Sequence, residues 1–155
     1  MNRRAIALAA LLLLGSRAGI VLEPAFAERK TPAQLETEFD REPNAKRRIK
    51  LAIELTDERL KQLLSTYEAE DSSKETAGVE DYLSGVQRLE KAFRESPNAG
   101  VSKDAEIHLR QQLRSLETLR MSLSTSERPA VDKASARVTE LHEEILHHIM
   151  NPAKP

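Results

Sequence analysis

Apolar residues in the last quarter of the chain recur at a spacing that places them on one face of an α-helix. The steps between them are three or four residues, which matches the 3.6-residue turn of that helix and not the two-residue repeat of a strand. The residues concerned are Val131, Ala134, Val138, Leu141, Ile145 and Ile149. The pattern predicts an amphipathic helix that buries one stripe against other helices.

The same period occurs in three earlier segments, and the strand period occurs in none. Helices are therefore predicted over about 43–70, over about 75–95, and from about residue 102 to residue 123. Their expected buried residues are Ile49, Ala52, Ile53, Thr56, Leu60, Leu63 and Tyr67 in the first, Val79, Tyr82, Leu83, Val86, Leu89 and Phe93 in the second, and Ala105, Leu109, Leu113, Leu116, Leu119 and Leu123 in the third.

Helix-start signals refine these boundaries. Thr31 can cap a short helix that ends near residue 40, with Pro32 in its first position. Ser102 is expected to cap the third long helix, and Pro129 fits the first turn of the last one.

The connections between the long helices are short, which predicts that consecutive helices run antiparallel. The expected fold is all-α, either an up-down-up-down four-helix bundle or two helical hairpins packed together. Residues 28–42 are expected to form a polar leader with a short helix, residues 43–151 the single bundle domain, and residues 152–155 a tail. A chain of this length can bury one core without disulfides, and it contains no cysteine.

The first 27 residues have the pattern of an export signal. Arg3 and Arg4 precede an apolar run, and the segment ends in Ala25-Phe26-Ala27, a small-x-small cleavage pattern. Arg17 interrupts the apolar run after about 11 residues, whereas a membrane span needs about 20. The sequence therefore predicts a signal peptide cleaved after Ala27, a periplasmic or secreted protein, and no stable membrane anchor after cleavage.

The charge of the remaining chain bears on its partners. The whole chain has 24 basic and 25 acidic residues. Cleavage of the signal peptide would remove Arg3, Arg4, Arg17 and Glu23, which leaves 21 basic and 24 acidic residues, a formal charge of −3. Nucleic-acid binding requires a strongly positive surface, so no nucleic-acid partner is expected.

The stretch from Asp40 to Leu51, DREPNAKRRIKL, resembles the start of the first long helix in a family of secreted bacterial all-helical proteins of unknown function. Those proteins have an E-P-N-x-x-K-R type start, and Ala45 stands where the pattern would have proline. The resemblance continues loosely to Leu146. It implies an exported helical protein and no particular activity.

Residues 142–148, HEEILHH, contain most of the histidines and are the stretch most suggestive of metal chemistry. A zinc protease motif requires histidines four residues apart, but His142 and His147 are five apart and lie about 140° apart around the helix. A di-iron bundle requires Glu-x-x-His twice, and Glu144 with His147 supplies it once. The expected roles are surface ones, with Glu143–His147 and Glu144–His148 as pairs four residues apart.

One arrangement of the histidines could still form a zinc site. In an antiparallel hairpin of the last two helices, His108 would lie level with residues near 145, so that His108, Glu144 and His148 could converge. Because edge histidines are far more common than metal ligands, we expect no metal site, no cofactor and no catalytic residue.

The cluster Lys46, Arg47, Arg48 and Lys50 has two interpretations. It could bind anionic groups of the cell envelope, or it could be a solvated helix face paired with Glu42 and Glu54 four residues away. We favour the second interpretation.

The expected function is that of a non-enzymatic exported helical bundle that binds another protein or itself. Ile107 and Met121, which the helical period places away from the buried stripe, suggest a second contact surface. The alternative is an extracytoplasmic small-ligand or metal-cation binding protein.

Overall fold

The computed structural model describes residues 29–69, 72–97 and 99–151, without the side chains of residues 72 and 99. The signal-peptide prediction and the predicted tail lie outside the described residues. The described part of the chain forms five helices: α1 (Pro32–Arg41), α2 (Ala45–Glu68), α3 (Ser72–Glu95), α4 (Ala99–Ser122) and α5 (Arg128–Met150). The all-α prediction is confirmed.

Local sequence signals explain most of the helix boundaries. Thr31 caps α1 with Gln34 in a reciprocal capping box, and Pro32 follows at the start of the helix as predicted. The side chain of Asn44 accepts a hydrogen bond from the backbone of Arg47 at 3.0 Å, so α2 begins after Asn44.

The predicted cap at Ser102 is wrong. Helix α4 begins at Ala99, three residues earlier, and Ser102 lies inside it with a buried side chain. Val101 is also fully buried. Burial of Val101 and Ser102 stabilises the helical conformation in this segment. The helix therefore begins before the residue that the capping pattern indicated.

The four long helices form two antiparallel hairpins, α2–α3 and α4–α5, which pack on each other with α2 beside α4 and α3 beside α5. Arg48–Glu95 and Arg59–Asp81 contacts show that α2 and α3 run in opposite directions. The spatial order around the bundle is therefore α2, α3, α5, α4, and the consecutive helices α3 and α4 lie diagonally. Of the two predicted architectures, the packed hairpins describe this arrangement.

Two glycines bring α3 close to α2. A Cβ atom at Gly85 would lie 3.3 Å from the Thr56 methyl group, and a Cβ atom at Gly78 would lie 3.2 Å from Cδ1 of Leu63. These positions are seven residues apart and so lie on one face of α3. The interior of the α2–α3 hairpin is closely packed because of them.

Helix α2 is buried on two faces, and only one was predicted. Leu51 and Leu55 are buried although they lie well away from the stripe that contains Ile49. Helix α1 packs against α2 and buries Leu35 and Phe39 in the same core. The short helix therefore covers the second apolar face of α2.

The predicted buried stripes agree with the structure in α2, α3 and α5, apart from partial exposure of Leu83 and Ile149. The prediction for α4 is wrong in part. Leu113 and Leu123 are only partly buried, whereas Gln112 is buried beside Leu109 and Leu116. A glutamine takes a core position here because every polar group of its amide has a partner inside the bundle.

Candidate functional site

The centre of the bundle contains a polar network that joins three helices. The hydroxyl of Tyr82 on α3 donates to Oε1 of Gln112 on α4 at 2.8 Å. Nε2 of Gln112 donates to Oγ1 of Thr56 at 3.1 Å and to Oδ1 of Asp57 at 2.6 Å, both on α2. Oδ2 of Asp57 lies 3.0 Å from Nδ1 of His108 at the surface of α4.

This central network is satisfied throughout. The Gln112 oxygen accepts one bond and its amino group donates two, which uses both protons of the amide. Burial and, second to it, the charge of Asp57 raise the pKa of Tyr82 well above its ordinary value, so its hydroxyl keeps its proton and acts as a donor. The network was not predicted from the sequence, in which its signal is a glutamine within an otherwise apolar stripe.

The structure separates the three residues of the hypothetical zinc site. His108 contacts Asp57 on α2, whereas Glu144 and His148 face α3. The ring of His148 packs edge-on against Phe93, with centroids 5.5 Å apart, and Glu144 binds Arg94. Among the described residues, no group of three potential ligands lies close enough to hold a metal ion.

The HEEILHH stretch makes contacts between helices. Nε2 of His142 lies 3.1 Å from Oε1 of Glu106 on α4. The Glu144 carboxylate accepts two bonds from Arg94, at 2.8 and 2.7 Å, and not the predicted contact with His148. Arg94 holds the pKa of Glu144 below its ordinary value.

A chain of ion pairs links α3 to α5. Glu90, which is largely buried, contacts both Arg94 and Arg137, and Arg137 also binds Glu140. Together with Arg94–Glu144, these contacts hold the two hairpins in register. The pairing satisfies the buried carboxylate of Glu90, which would otherwise be costly to bury.

The basic cluster at the start of α2 is divided between two surroundings. Arg48 lies over the ring of Phe39 at 5.1 Å and binds Glu95 at 3.0 Å, so it belongs to the packing of α1, α2 and α3. Arg47 binds Glu42 at 3.0 Å. Lys46, Arg47 and Lys50 line a shallow surface depression of about 380 Å³.

A second cavity lies at the end of the bundle where α2 and α4 end and α3 and α5 begin. Its volume is about 490 Å³, and among the described residues three carboxylates and no basic side chain line it. The lining residues are Tyr67, Glu68, Glu75, Leu119, Ser122, Leu123 and Glu127. This cavity was not predicted from the sequence, because its residues come from three helices and the connection between α4 and α5.

The side of the α4–α5 hairpin that faces away from α2 and α3 carries two exposed stripes, which together we call the outer face. Large apolar residues remain exposed on it, with exposed fractions of 42% for Ile107, 69% for Met121, 38% for Leu146 and 72% for Met150. The other residues of these stripes are Lys103, Arg110, Arg114 and Glu117 on α4, and Asp132, Ala136, Glu143 and His147 on α5. The α4 stripe has three basic residues and one acidic residue, so it is basic on balance, and the α5 stripe has two acidic residues.

Comparison of the chain with protein-family models, with curated proteins and with solved structures found no match. None of the helices in the described part of the chain has the length and apolar character needed to cross a bilayer.

Proposed function

We propose that this protein is a non-enzymatic interaction module that associates with a second copy of itself through the outer face. The observation that carries the proposal is the exposure of Ile107, Leu146 and Met150 beside two stripes of opposite charge. Exposed apolar groups in such a setting are typical of a protein interface. The ion pairs within the bundle support a structural use of the ionisable residues.

Contacts between α4 and α5 fix which residues of the outer face lie level with each other. Glu106 on α4 lies beside His142 on α5, and Arg120 lies beside Asp132. Ile107 therefore lies within about one turn of Leu146 along the hairpin. Ile107, Leu146 and Met150 form one apolar region near the end of α5.

A two-fold axis parallel to the helices matches this pattern. Such an axis places α4 of one copy against α5 of the other at the same level. Ile107 then meets the region of Leu146 in the second copy, and Arg110 lies within about one turn of Glu143 in that copy. The basic stripe of each copy faces the acidic stripe of the other, which favours this pairing over a random orientation.

Sedimentation velocity over a range of concentrations tests the proposal. The full chain is expressed with its own leader, and the ends of the purified product are determined by intact-mass measurement. We expect a dimer that dissociates on dilution. The double variant Leu146→Glu, Met150→Glu should be a monomer, because it replaces the apolar contact with charge. It should still fold, because neither side chain belongs to the buried core.

A charge exchange distinguishes this interface from nonspecific hydrophobic association. Arg110→Glu alone and Glu143→Arg alone should each weaken the dimer, and the double variant should restore it, since the opposite charges then face each other again. Lys91→Glu on the exposed part of α3 is the matched control and should leave association unchanged. A wild-type monomer at every concentration, or a double variant no better than the single ones, would refute the proposal.

We also propose that the protein acts after export to the periplasm or beyond. The support is the leader pattern of residues 1–27, with its basic start, its short apolar run and Ala25-Phe26-Ala27. Expression in a Gram-negative host should yield a periplasmic product whose first residue is Glu28. Recovery of the uncleaved chain from the membrane fraction would contradict this.

A further inference from the structure

Two methionines supply the sulfur atoms of the bundle. The whole chain has three methionines and no cysteine, and Met1 lies in the segment proposed to be cleaved. Met121 near the end of α4 and Met150 at the end of α5 are exposed to nearly the same extent, 69% and 72%. Both thioethers are therefore open to an oxidant in the free chain, which has no cysteine that would compete for it.

Met150 belongs to the apolar region through which two copies are proposed to associate. It follows Leu146 by one turn of α5, so the two side chains lie on the same stripe, and Ile107 lies near them on the adjacent helix α4. In the dimer, the thioether of Met150 is removed from water together with these neighbours. An oxygen atom added to this sulfur would be buried without the hydrogen bonds that water gives it, which is unfavourable.

Met121 has a similar exposure and a charged neighbourhood. It lies about 21 Å from Ile107 along α4. Arg120, which precedes it in the chain, pairs with Glu117 at 3.8 Å and with Asp132 at 2.6 Å. Because polar groups already surround this sulfur, an added oxygen atom should change the contact between two copies little. Met121 is therefore an internal control for Met150.

We propose that Met150 is a site of reversible oxidation and that its sulfoxide form weakens self-association. This inference rests on the dimer proposed for the outer face. A hydroperoxide is the oxidant: its O–O bond breaks, one oxygen atom bonds to Sδ of Met150, and the other leaves as water or an alcohol. The sulfur loses two electrons, which the peroxide gains. A sulfoxide reductase with a dithiol reverses the step, and it releases water and a disulfide.

Treatment of the purified full-chain product with hydrogen peroxide, followed by sedimentation velocity, tests this. Peptide mass spectrometry gives the fraction of each methionine that has gained an oxygen atom, and each variant is compared with its own untreated sample. In Met121→Leu, oxidation of Met150 should raise the dissociation constant about tenfold or more, since both copies lose an apolar contact. In Met150→Leu, oxidation of Met121 should change the constant by less than about twofold.

The outcomes separate this inference from the dimer on which it rests. A dissociation constant that is unchanged by oxidation of Met150, or that rises equally in the two variants, would overturn the inference and leave the dimer standing. A wild-type chain that is monomeric at every concentration before oxidation would refute the dimer, and the inference with it. Reduction of the sulfoxide by a methionine sulfoxide reductase and dithiothreitol should restore the original constant. Failure to recover would assign the loss to other damage.

The rate of oxidation supplies a second measurement. Dimer formation covers Met150, so in a large excess of peroxide its oxidation should slow as the protein concentration rises through the dissociation constant. Met121 in the same sample should react at a constant rate. If Met150 does not slow, or if both methionines slow equally, Met150 lies outside the contact and the inference is overturned.

Discussion

The hydroxyl of Tyr82 on α3 donates to Oε1 of Gln112 on α4 at 2.8 Å, and this bond joins two helices that lie diagonally opposite each other in the bundle. Because Gln112 also donates to Thr56 and Asp57 on α2, one amide connects three helices. Buried polar groups that must meet their partners penalise any packing in which the helices are shifted or exchanged. The network therefore helps to select this arrangement of the hairpins.

Replacing the central glutamine should destabilise the protein strongly. Gln112→Ala leaves the hydroxyl of Tyr82 without an acceptor inside the core, and the expected loss of unfolding free energy is about 2–3 kcal/mol. Urea denaturation measures this loss. Gln111→Ala, on the exposed side of the same helix, is the control and should change stability by less than about 0.5 kcal/mol. A similar small loss for Gln112→Ala would mean that the network does not contribute.

The two glycines of α3 should respond differently to alanine. Alanine favours helix over glycine by about 1 kcal/mol, so substitution stabilises α3 unless the added methyl group collides. At Gly85 the neighbour is the methyl group of Thr56. The Thr56 hydroxyl donates a hydrogen bond to the carbonyl of Ile53 and accepts one from Gln112, and these bonds hold the side chain in place. At Gly78 the neighbour is the rotatable end of Leu63.

Thermal unfolding should therefore rank Gly85→Ala as the less stable variant, by at least about 1 kcal/mol relative to Gly78→Ala. The two variants control for each other, since both make the same chemical change in the same helix. The reverse order would show that Thr56 is free to adjust.

Helix α1 should be an integral part of the domain. Phe39 is buried, and the guanidinium of Arg48 on α2 stacks over its ring. Phe39→Ala should therefore lower the unfolding free energy by about 3 kcal/mol or more. Asp40→Ala, at the exposed neighbouring position, should cost little. Chemical denaturation that found equal losses for the two variants would indicate that α1 is not docked.

The Arg94–Glu144 pair should make stability depend on pH in the acid range. Arg94 lowers the pKa of Glu144 in the folded state from its ordinary value of 4.5, so the contribution of the pair is present above that value. It is lost as the pH falls through 4.5 toward the lower folded-state pKa.

Thermal melts at several pH values should show the wild type more stable than Glu144→Gln at neutral pH. The difference should narrow as the pH falls through 4.5 toward the folded-state pKa, because the wild-type carboxylate then becomes neutral, as the glutamine side chain already is. Glu80→Gln, on the exposed side of α3, should not show this narrowing. A constant difference between wild type and Glu144→Gln at every pH would refute the assignment.

The sequence by itself determined the helices and most of their buried residues. The three- and four-residue spacing from Val131 to Ile149 allows only one secondary structure, and burial of that stripe follows from the hydrophobic effect. Thr31, Pro32 and Pro129 marked helix starts correctly because capping and the proline ring act within a few residues. These effects are local, and a linear sequence contains them.

Only the tertiary structure decided which helices are neighbours and which side chains meet. The spacing placed His108 at an edge of its helix, but whether that edge faces Glu144 and His148 or Asp57 depends on how the hairpins pack. The second apolar face of α2 and the core position of Gln112 have the same origin, since α1 covers the one and partners on α2 and α3 satisfy the other. The cavity around Tyr67 likewise arises where four helix ends converge. All these contacts join residues that are far apart in the chain, and a helical period does not specify which of them pair.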